Sequence, residues 1–321
     1  MITTEQKKIF DEKIRAANTI VLCGHKNPDG DALCSVLGLA QLIELNYGKR
    51  VVCVYDGNIP DYLDLVPLRK NIRYFARVDD VDAVDVAIVM DYGAIKNIGG
   101  SKSFADKAKF IIEIDHHINN DEKIGDLCID DTSASATAEI VYDFMKKMDW
   151  KYDAAVLNLL MTGIITDTGH FKFIKHGRVL RYVADLVDKG VNIQMVMNGL
   201  ENKARKTVLV ESMAAGRAEF FFKNRLAFAY IDSREYKNLD GRGETVLALL
   251  QQIHGVDYVV LLKEQKPGQI GVSLRGRFKP VNKIAEALGG GGHEFAAGAV
   301  VADSLENVKT LILKMFQEVI K

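Results

Sequence analysis

Three side chains able to bind a cation or move a proton, Asp115, His116 and His117, close the apolar run Phe110-Ile111-Ile112-Glu113-Ile114. A short apolar run that stops on polar ligands reads as a buried strand delivering chemistry at its C-terminal end. Open α/β sheets place their sites at that edge. A histidine pair by itself is more often structural or merely exposed, but here the pattern recurs. The run Thr19–Gly24 feeds His25, Asp29 and Asp31, three potential ligands within seven residues. Val84–Met90 ends on Asp91, and the apolar stretch Ala154–Ile165 ends on Thr166-Asp167-Thr168-Gly169. The bland account of the first group is an Asx-rich turn, with Asp31 capping the helix that follows. That account does not extend to all the groups, because unpaired charges are not left inside a protein. A His/Asp set without cysteine suits manganese, magnesium, iron or cobalt better than a structural zinc. More carboxylates than one ion needs suggests two ions roughly 3.5–4 Å apart that share a bridging carboxylate. Such a pair activates water and clamps both oxygens of an in-line displacement at phosphorus.

The elements that must position these residues alternate. A polar amphipathic N-terminal helix precedes the strand at 19–24, and a helix-periodic stretch follows Asp31. Further strands are expected at 50–56, 84–90, 110–114 and, at an edge, 126–129. Between the second and third lies a Pro-flanked helical piece near 61–65. Asp130-Asp131-Thr132-Ser133 caps a helix expected to reach Met148, and helices are expected over 154–165 and 177–199. Strands alternating with helices imply an α/β fold, a mostly parallel sheet with helices on both faces. The polar stretch 201–206 reads as a linker, so the first domain is placed at 1–200 and a smaller mixed α/β domain at 201–321. In the latter, 217–222 and 225–231 form a hairpin, 257–263 pairs with 269–275, and helices cover 243–253, 281–288 and 305–320.

Composition narrows the function classes. The chain has 321 residues, 48% hydrophobic and 26% charged, with a net charge of −1. That balance argues against wrapping long duplex nucleic acid by bulk electrostatics. No apolar stretch reaches the roughly 18–20 residues of a membrane span, and the N-terminus has no signal-peptide core. Cys23, Cys34, Cys53 and Cys128 are scattered, and read as buried thiols of a reducing compartment, the cytoplasm. Residues 1–200 carry 24 Lys/Arg against 29 Asp/Glu, and residues 201–321 carry 18 against 14. An acidic half could hold cations while a basic half holds an anion; random scatter explains the numbers equally well. In the basic half, Gly289-Gly290-Gly291-Gly292-His293 precedes Ala296-Ala297-Gly298. Such a run is usually a flexible joint, but small residues following at once imply close backbone approach, and exposed amides make an anion nest. His293 adds a donor, and Arg275 can grip a phosphate with two parallel bonds.

Taken together, His25-Lys26-Asn27-Pro28-Asp29-Gly30-Asp31-Ala32, the strand end at Asp91, Asp115-His116-His117 and Thr166-Asp167-Thr168-Gly169 resemble the four motifs of the DHH phosphoesterase superfamily. Gly289–Gly298 resembles the signature of its DHH-associated C-terminal domain. The resemblance covers nearly the whole chain. The two-domain length is most like the nano-RNases that also act as pAp phosphatases, which remove mononucleotides from very short oligonucleotides and dephosphorylate 3′-phosphoadenosine 5′-phosphate. It implies two divalent ions, manganese foremost, with magnesium, cobalt and iron as alternatives. One ion would take His25, Asp29 and Asp91, and the other Asp31, Asp91, His116 and Asp167, with Asp91 bridging. Asp91, Asp115 and His117 would carry the catalysis: Asp115 would orient the histidines, and His117 would face substrate phosphate. Arg275, Gly290, Gly291, Gly292 and His293 would hold the phosphate or nucleotide from the second domain across a cleft.

Some positions depart from the family pattern. Asn97 stands, beside Lys96, where the family often has an arginine; Gly276 replaces the usual serine after Arg275; Cys34-Ser35 replaces Gly-Ser. Ser133, Ser135 and Thr137 match a family helix start and read first as capping. His170-Phe171 could meet a base or simply pack. Within the same chemistry, the alternatives are an exopolyphosphatase, a linear-dinucleotide (pApA) phosphodiesterase and a RecJ-like single-strand exonuclease. From another class comes a non-catalytic nucleotide-binding module, which should have lost ligands; this chain has lost none. The expected partners are short nucleotides or a small phosphorylated substrate, with no long duplex and no membrane, and a homodimer is left open.

Overall fold

A computed structural model of the chain describes residues 2–118, 123–239 and 243–320. It divides into two compact units, Met1–Asn202 and Lys203–Lys321. In the first unit the order is α1 (Thr4–Ala16), β1 (Ile20–Cys23), α2 (Gly30–Tyr47), β2 (Val51–Tyr55), β3 (Ile72–Tyr74), β4 (Val84–Met90), α3 (Lys102–Ala105), β5 (Ala108–Asp115), β6 (Leu127–Asp130), α4 (Thr137–Lys147), α5 (Ala154–Asp167), α6 (Gly177–Asp188) and α7 (Ile193–Glu201). All six strands run parallel, in the spatial order β3-β2-β1-β4-β5-β6. That order reverses between β1 and β4, the topological switch point where open α/β sheets leave a crevice beyond their strand ends.

Period-2 alternation buries both faces of this sheet. Ile20, Leu22, Ile88, Met90, Ile112 and Ile114 join the core that contains residues of α1, α2, α4 and α5. Val21, Cys23, Ala87, Val89 and Ile111 join a second core with Phe104 and Ala105 of α3. α1 starts with a capping box between Thr3 and Gln6, which satisfies two otherwise orphaned amide donors. α2 stops at Gly48, whose φ of 62° is the left-handed cap conformation open to glycine.

Several expectations shift, and the helix expected over 177–199 is two, α6 and α7. β3 was not foreseen, since Ile72–Tyr74 is only three residues long, lies at the sheet edge and is flanked by single 3₁₀ turns. α4 begins at Thr137 rather than after Ser133, with Ala136 as an N-cap that makes no side-chain bond. Of the four cysteines, all free, Cys23, Cys34 and Cys53 are buried, whereas Cys128 is only half-buried on the edge strand.

The second unit runs α8 (Arg205–Gly216), β7 (Glu219–Phe221), β8 (Leu226–Ile231), α9 (Ser233–Tyr236), α10 (Glu244–Gln252), β9 (Tyr258–Lys266), β10 (Gln269–Gly276), α11 (Asn282–Ala287), β11 (Gly291–His293), β12 (Ala296–Val301) and α12 (Leu305–Val319). Its sheet has the order β11-β12-β10-β9-β8-β7, antiparallel except for the β8–β9 pair. The hairpin and the β9–β10 pairing follow the periodicity of the sequence. One core packs Phe228, Val260 and Leu274 on Ile312 and Phe316 of α12, and another packs Ala229 and Leu261 on Val246 and Leu250 of α10. Among the described residues, no helix is long and apolar enough to cross a membrane.

Candidate active site: a carboxylate and histidine cluster

β1 hands the chain to a loop that carries His25 and ends on Asp29, the N-cap of α2. Asp29 Oδ1 accepts from the amides of Asp31 and Ala32, both at 3.1 Å. The cap is therefore Asp29, which leaves Asp31 free of that duty. Asp31, 1% exposed, turns inward from the first turn of α2. Its Oδ2 accepts from the Thr137 amide at 2.6 Å and its Oδ1 from the Ala138 amide at 2.9 Å. Two amides at the start of α4 thus hold a carboxylate where the helix dipole favours negative charge. Gly163 makes room for it: a Cβ there would lie 2.8 Å from Asp31 Oδ1 and 2.7 Å from the Ala138 Cβ.

Asp91, one residue past β4, has a φ of 51°. A non-glycine residue in that region is uncommon and marks a site where the surroundings overdetermine the backbone. Its amide donates to the Ile114 carbonyl at 3.0 Å. Its two carboxylate oxygens face different histidines: Oδ1 lies 3.5 Å from His116 Nε2, and Oδ2 lies 4.0 Å from His25 Nε2. His25 Nε2 is also 3.6 Å from Asp29 Oδ1, and His116 Nε2 is 3.3 Å from Asp167 Oδ2 at the end of α5. Ligand atoms of His25, Asp29 and Asp91 all lie within 4.8 Å of one another, as do those of Asp31, His116 and Asp167, and those of Asp91, His116 and His117. The six residues expected to hold metal are gathered in one place.

Asp115 is the hub beside them. Its Oδ1 accepts from the His116 amide at 2.8 Å, the His117 amide at 3.1 Å and His117 Nδ1 at 2.7 Å. Its Oδ2 accepts from the amides of Tyr92 at 3.3 Å and Gly93 at 2.8 Å. One carboxylate therefore ties the turn after β4 to the turn after β5. It orients the His117 ring directly. The His116 ring is steered instead by the Ala134 carbonyl, 3.4 Å from Nδ1. A carboxylate or carbonyl on the far ring nitrogen is the usual way a ligating imidazole is aimed.

The electrostatics fit a cation. Burial raises the carboxyls of Asp31 and Asp167 well above the ordinary range, and the neighbouring Asp91 raises both further. Asp91 is held up at about 6, chiefly by burial, with His117 pulling the other way. Burial disfavours the imidazolium of His25, but the hydrogen bond and field of Asp29 and the field of Asp91 outweigh it and raise the group to about 9. His117 is likewise raised to about 9 against burial, by its bond to Asp115. Buried Asp115 is held far below the usual range, because its bond to His117 overcomes desolvation. Crowded buried carboxylates that must take up protons when left alone are what a divalent ion relieves. The donor set of hard oxygens and imidazoles, without thiolate, fits manganese, magnesium, iron or cobalt.

Sequence reasoning missed several residues of this site. Thr137, read as a cap, instead donates from Oγ1 to Asp91 Oδ1 at 3.0 Å. Ser133 bonds within the turn to Asp131, and Ser135 Oγ accepts from the Lys175 amide at 3.0 Å, so neither caps α4. Asn97, in place of the family arginine, sews two loops together: its Nδ2 donates to the Tyr92 carbonyl at 3.1 Å, and its own carbonyl accepts from the Lys26 amide at 2.6 Å. Phe171 packs against the core. A further acidic group, Glu113 with Asp130, already holds an ammonium, that of Lys123 at 2.9 and 2.8 Å.

In the second unit, the glycine run is not the open loop its composition suggests. Gly291–His293 form edge strand β11, paired to β12. A Cβ on Gly290 would lie 2.1 Å from the Gly298 carbonyl, and Gly292, at φ 139°, would press one within 2.6 Å of Ala297. Close approach accounts for Gly290 and Gly292, and what they approach is the neighbouring strand, whereas a Cβ on Gly289 or Gly291 would meet open space. The side chain of His293 lies outside the described residues. Arg275 Nη2 binds both carboxylate oxygens of Glu244, at 2.9 and 2.7 Å. Gly276 has a steric reason, since a Cβ there would sit 1.9 Å from the Lys279 carbonyl.

Comparison with known proteins agrees with this architecture. Residues 19–164 match the model of the DHH family, N-terminal domain, and residues 225–321 that of the DHHA1 domain. A probable bifunctional oligoribonuclease and PAP phosphatase NrnA of Streptococcus mutans is 27% identical, over 92% of this chain and 93% of that protein. The bifunctional oligoribonuclease and PAP phosphatase NrnA of Thermus thermophilus is 28% identical, over 92% of this chain and 89% of that protein. The crystal structure of an exopolyphosphatase-related protein from Bacteroides fragilis shares the fold, with a TM-score of 0.89 at 23% identity, over 99% of this chain and 97% of that one. With a DHH domain followed by a DHHA1 domain, the chain belongs to the DHH family of phosphoesterases and is a hydrolase.

Proposed function

We propose that this protein uses two divalent cations, manganese foremost, to hydrolyse the phosphodiester of very short oligonucleotides, releasing mononucleotides, and the phosphomonoester of 3′-phosphoadenosine 5′-phosphate. The observation that carries the reading is Asp91, whose two oxygens face His116 on one side and His25 on the other. His25, Asp29 and Asp91 would hold one ion, and Asp31, His116 and Asp167 the other, with Asp91 shared. Both are drawn from clusters whose ligand atoms lie within 4.8 Å of one another. The relatives named as bifunctional oligoribonucleases and PAP phosphatases support the substrate class.

A divalent pair supplies charge neutralisation and Lewis acidity at a phosphoryl oxygen. The chain's own residues do the rest. Asp115 accepts a 2.7 Å hydrogen bond from Nδ1–H of His117 and favours the charged ring, so Nε2–H is left to donate to a phosphate or leaving-group oxygen. Because Asp115 also holds the backbone on both sides of the site, that donor is positioned before substrate arrives. In the second unit, Arg275, Gly290, Gly291, Gly292 and His293 would bind a phosphate, which would displace Glu244 from Arg275. The four free cysteines support a reducing compartment, the cytoplasm.

The test is hydrolysis by purified protein with added manganese, on a labelled dinucleotide, pAp, pApA and polyphosphate. Turnover of the dinucleotide and pAp is expected. Asp91→Ala should abolish it, since one side chain serves both ions. Cleavage of polyphosphate alone would refute the substrate class, and an active Asp91→Ala variant would refute the shared ligand.

A further inference from the structure

We infer that Thr137 is a positioning residue for the two-cation centre: its hydroxyl sets the rotation of the Asp91 carboxylate, so that each oxygen is presented to a different ion. This rests on the two-cation reading proposed above. The last torsion of an aspartate is broad and roughly two-fold, so a carboxylate that must serve two partners needs something to fix its plane. Thr137 is 0% exposed and its Oγ1 lies 3.0 Å from Asp91 Oδ1, across 46 residues of chain. That oxygen is the one 3.5 Å from His116 Nε2, while Oδ2 is left toward His25. A carboxylate oxygen has two lone pairs, so the hydroxyl takes one and leaves the other for an ion.

The placement of Thr137 has no other evident purpose. The N-cap of α4 is Ala136, which makes no side-chain bond, and the carboxylate that meets the first amides of the helix is that of Asp31, not the Thr137 hydroxyl. A β-branched residue in the first turn gains nothing in helix propensity. The Thr137 amide, meanwhile, is on Asp31 Oδ2 at 2.6 Å. One residue thus reaches the carboxylate expected to bridge and, through its backbone, one expected to bind the second ion alone. The turn leading into it is clamped: Glu139, 0% exposed, accepts from the Ser135 amide at 2.7 Å and from Arg178 Nε at 2.7 Å, and Arg178 reaches Asp131 at 2.9 Å. A hydroxyl on a rigid turn is a better orienting device than one on a mobile loop.

The experiment titrates metal-free full-length protein with manganese, following binding by calorimetry and the spin coupling between bound ions by electron paramagnetic resonance. Wild type is expected to bind two ions and show the coupled signal. Thr137→Val should weaken the second ion roughly 10- to 100-fold, the range seen when a group orienting a metal ligand is lost, and should lose the coupling. Thr137→Ser, which keeps the hydroxyl, should restore both. Metal-free melting temperatures report whether each variant is folded, and Thr137→Ala replaces the valine variant if that one is not. Two coupled ions bound by a folded valine or alanine variant with wild-type affinity would overturn the role of Thr137 and leave the two-cation reading standing. A wild type that binds one ion or none would overturn both.

Discussion

Replacing Asp167 with asparagine should stabilise the protein without metal while weakening it as a metal binder, and the first effect should depend on pH. Asp167 is a mostly buried carboxyl, its side chain 16% exposed, in a cluster whose ligand atoms lie within 4.8 Å. Burial first, then Asp91 and Asp29, raise it well above its ordinary value of 3.8. A carboxyl raised in the folded state binds protons that the unfolded chain has released, so its ionisation costs stability as pH rises past 3.8 and through the folded value. One like-charge contact at about 4.8 Å and an effective dielectric near 20 amounts to about 3 kcal/mol. His117, which pulls the other way, leaves on the order of 1–2 kcal/mol, or about 2–8 °C in melting temperature for a unit of this size. Below pH 3.8, where the carboxyl is protonated in both the folded and the unfolded chain, wild type and variant should melt together; at pH 8 the variant should melt higher. Saturating manganese at about 100 times Kd should then raise wild type by about 2.7 kcal/mol and the variant by much less. Differential scanning fluorimetry in chelator and in manganese reads both effects. A variant that is no more stable than wild type at pH 8 in chelator would refute the claim that these carboxylates repel one another.

Other outcomes follow from the same geometry. Glu244→Gln should loosen the grip on Arg275 and lower KM for pAp by up to about 5-fold with kcat unchanged, since an exposed ion pair is worth roughly 0.2–1 kcal/mol; steady-state kinetics separates the two parameters. Gly163→Ala should destabilise by about 1–3 kcal/mol, because the new methyl meets Asp31 Oδ1 and Ala138, and should weaken manganese binding alongside; thermal melts and calorimetry check the pair.

The clustering of carboxylates and histidines was legible because each group follows an apolar run, and a buried strand or helix can keep a charge at its end only where the charge has a use. The parallel sheet was legible from the same runs. What the sequence hid is what depends on contact across the fold. Whether Asp29 or Asp31 caps α2 is decided by which carboxylate the amides of α4 can reach, and α4 lies more than a hundred residues away. Thr137 looked like a cap because Ser and Thr before a helix usually are, and only coordinates reveal that its hydroxyl meets Asp91. β3 escaped because three residues carry no readable period. The glycine run misled in one respect: composition announces close approach, but says nothing about whether a ligand or the protein's own strand is the neighbour.

The loop sewn to its neighbour at Asn97 has a consequence for substitution at this position. The bond that joins the turns carrying His25 and Asp91 is main chain, from the Lys26 amide to the carbonyl of residue 97, whereas the asparagine side chain braces its own loop on the Tyr92 carbonyl. An arginine at position 97 would therefore keep the tether and add a cation, while the loop after Asp91 would lose its internal brace.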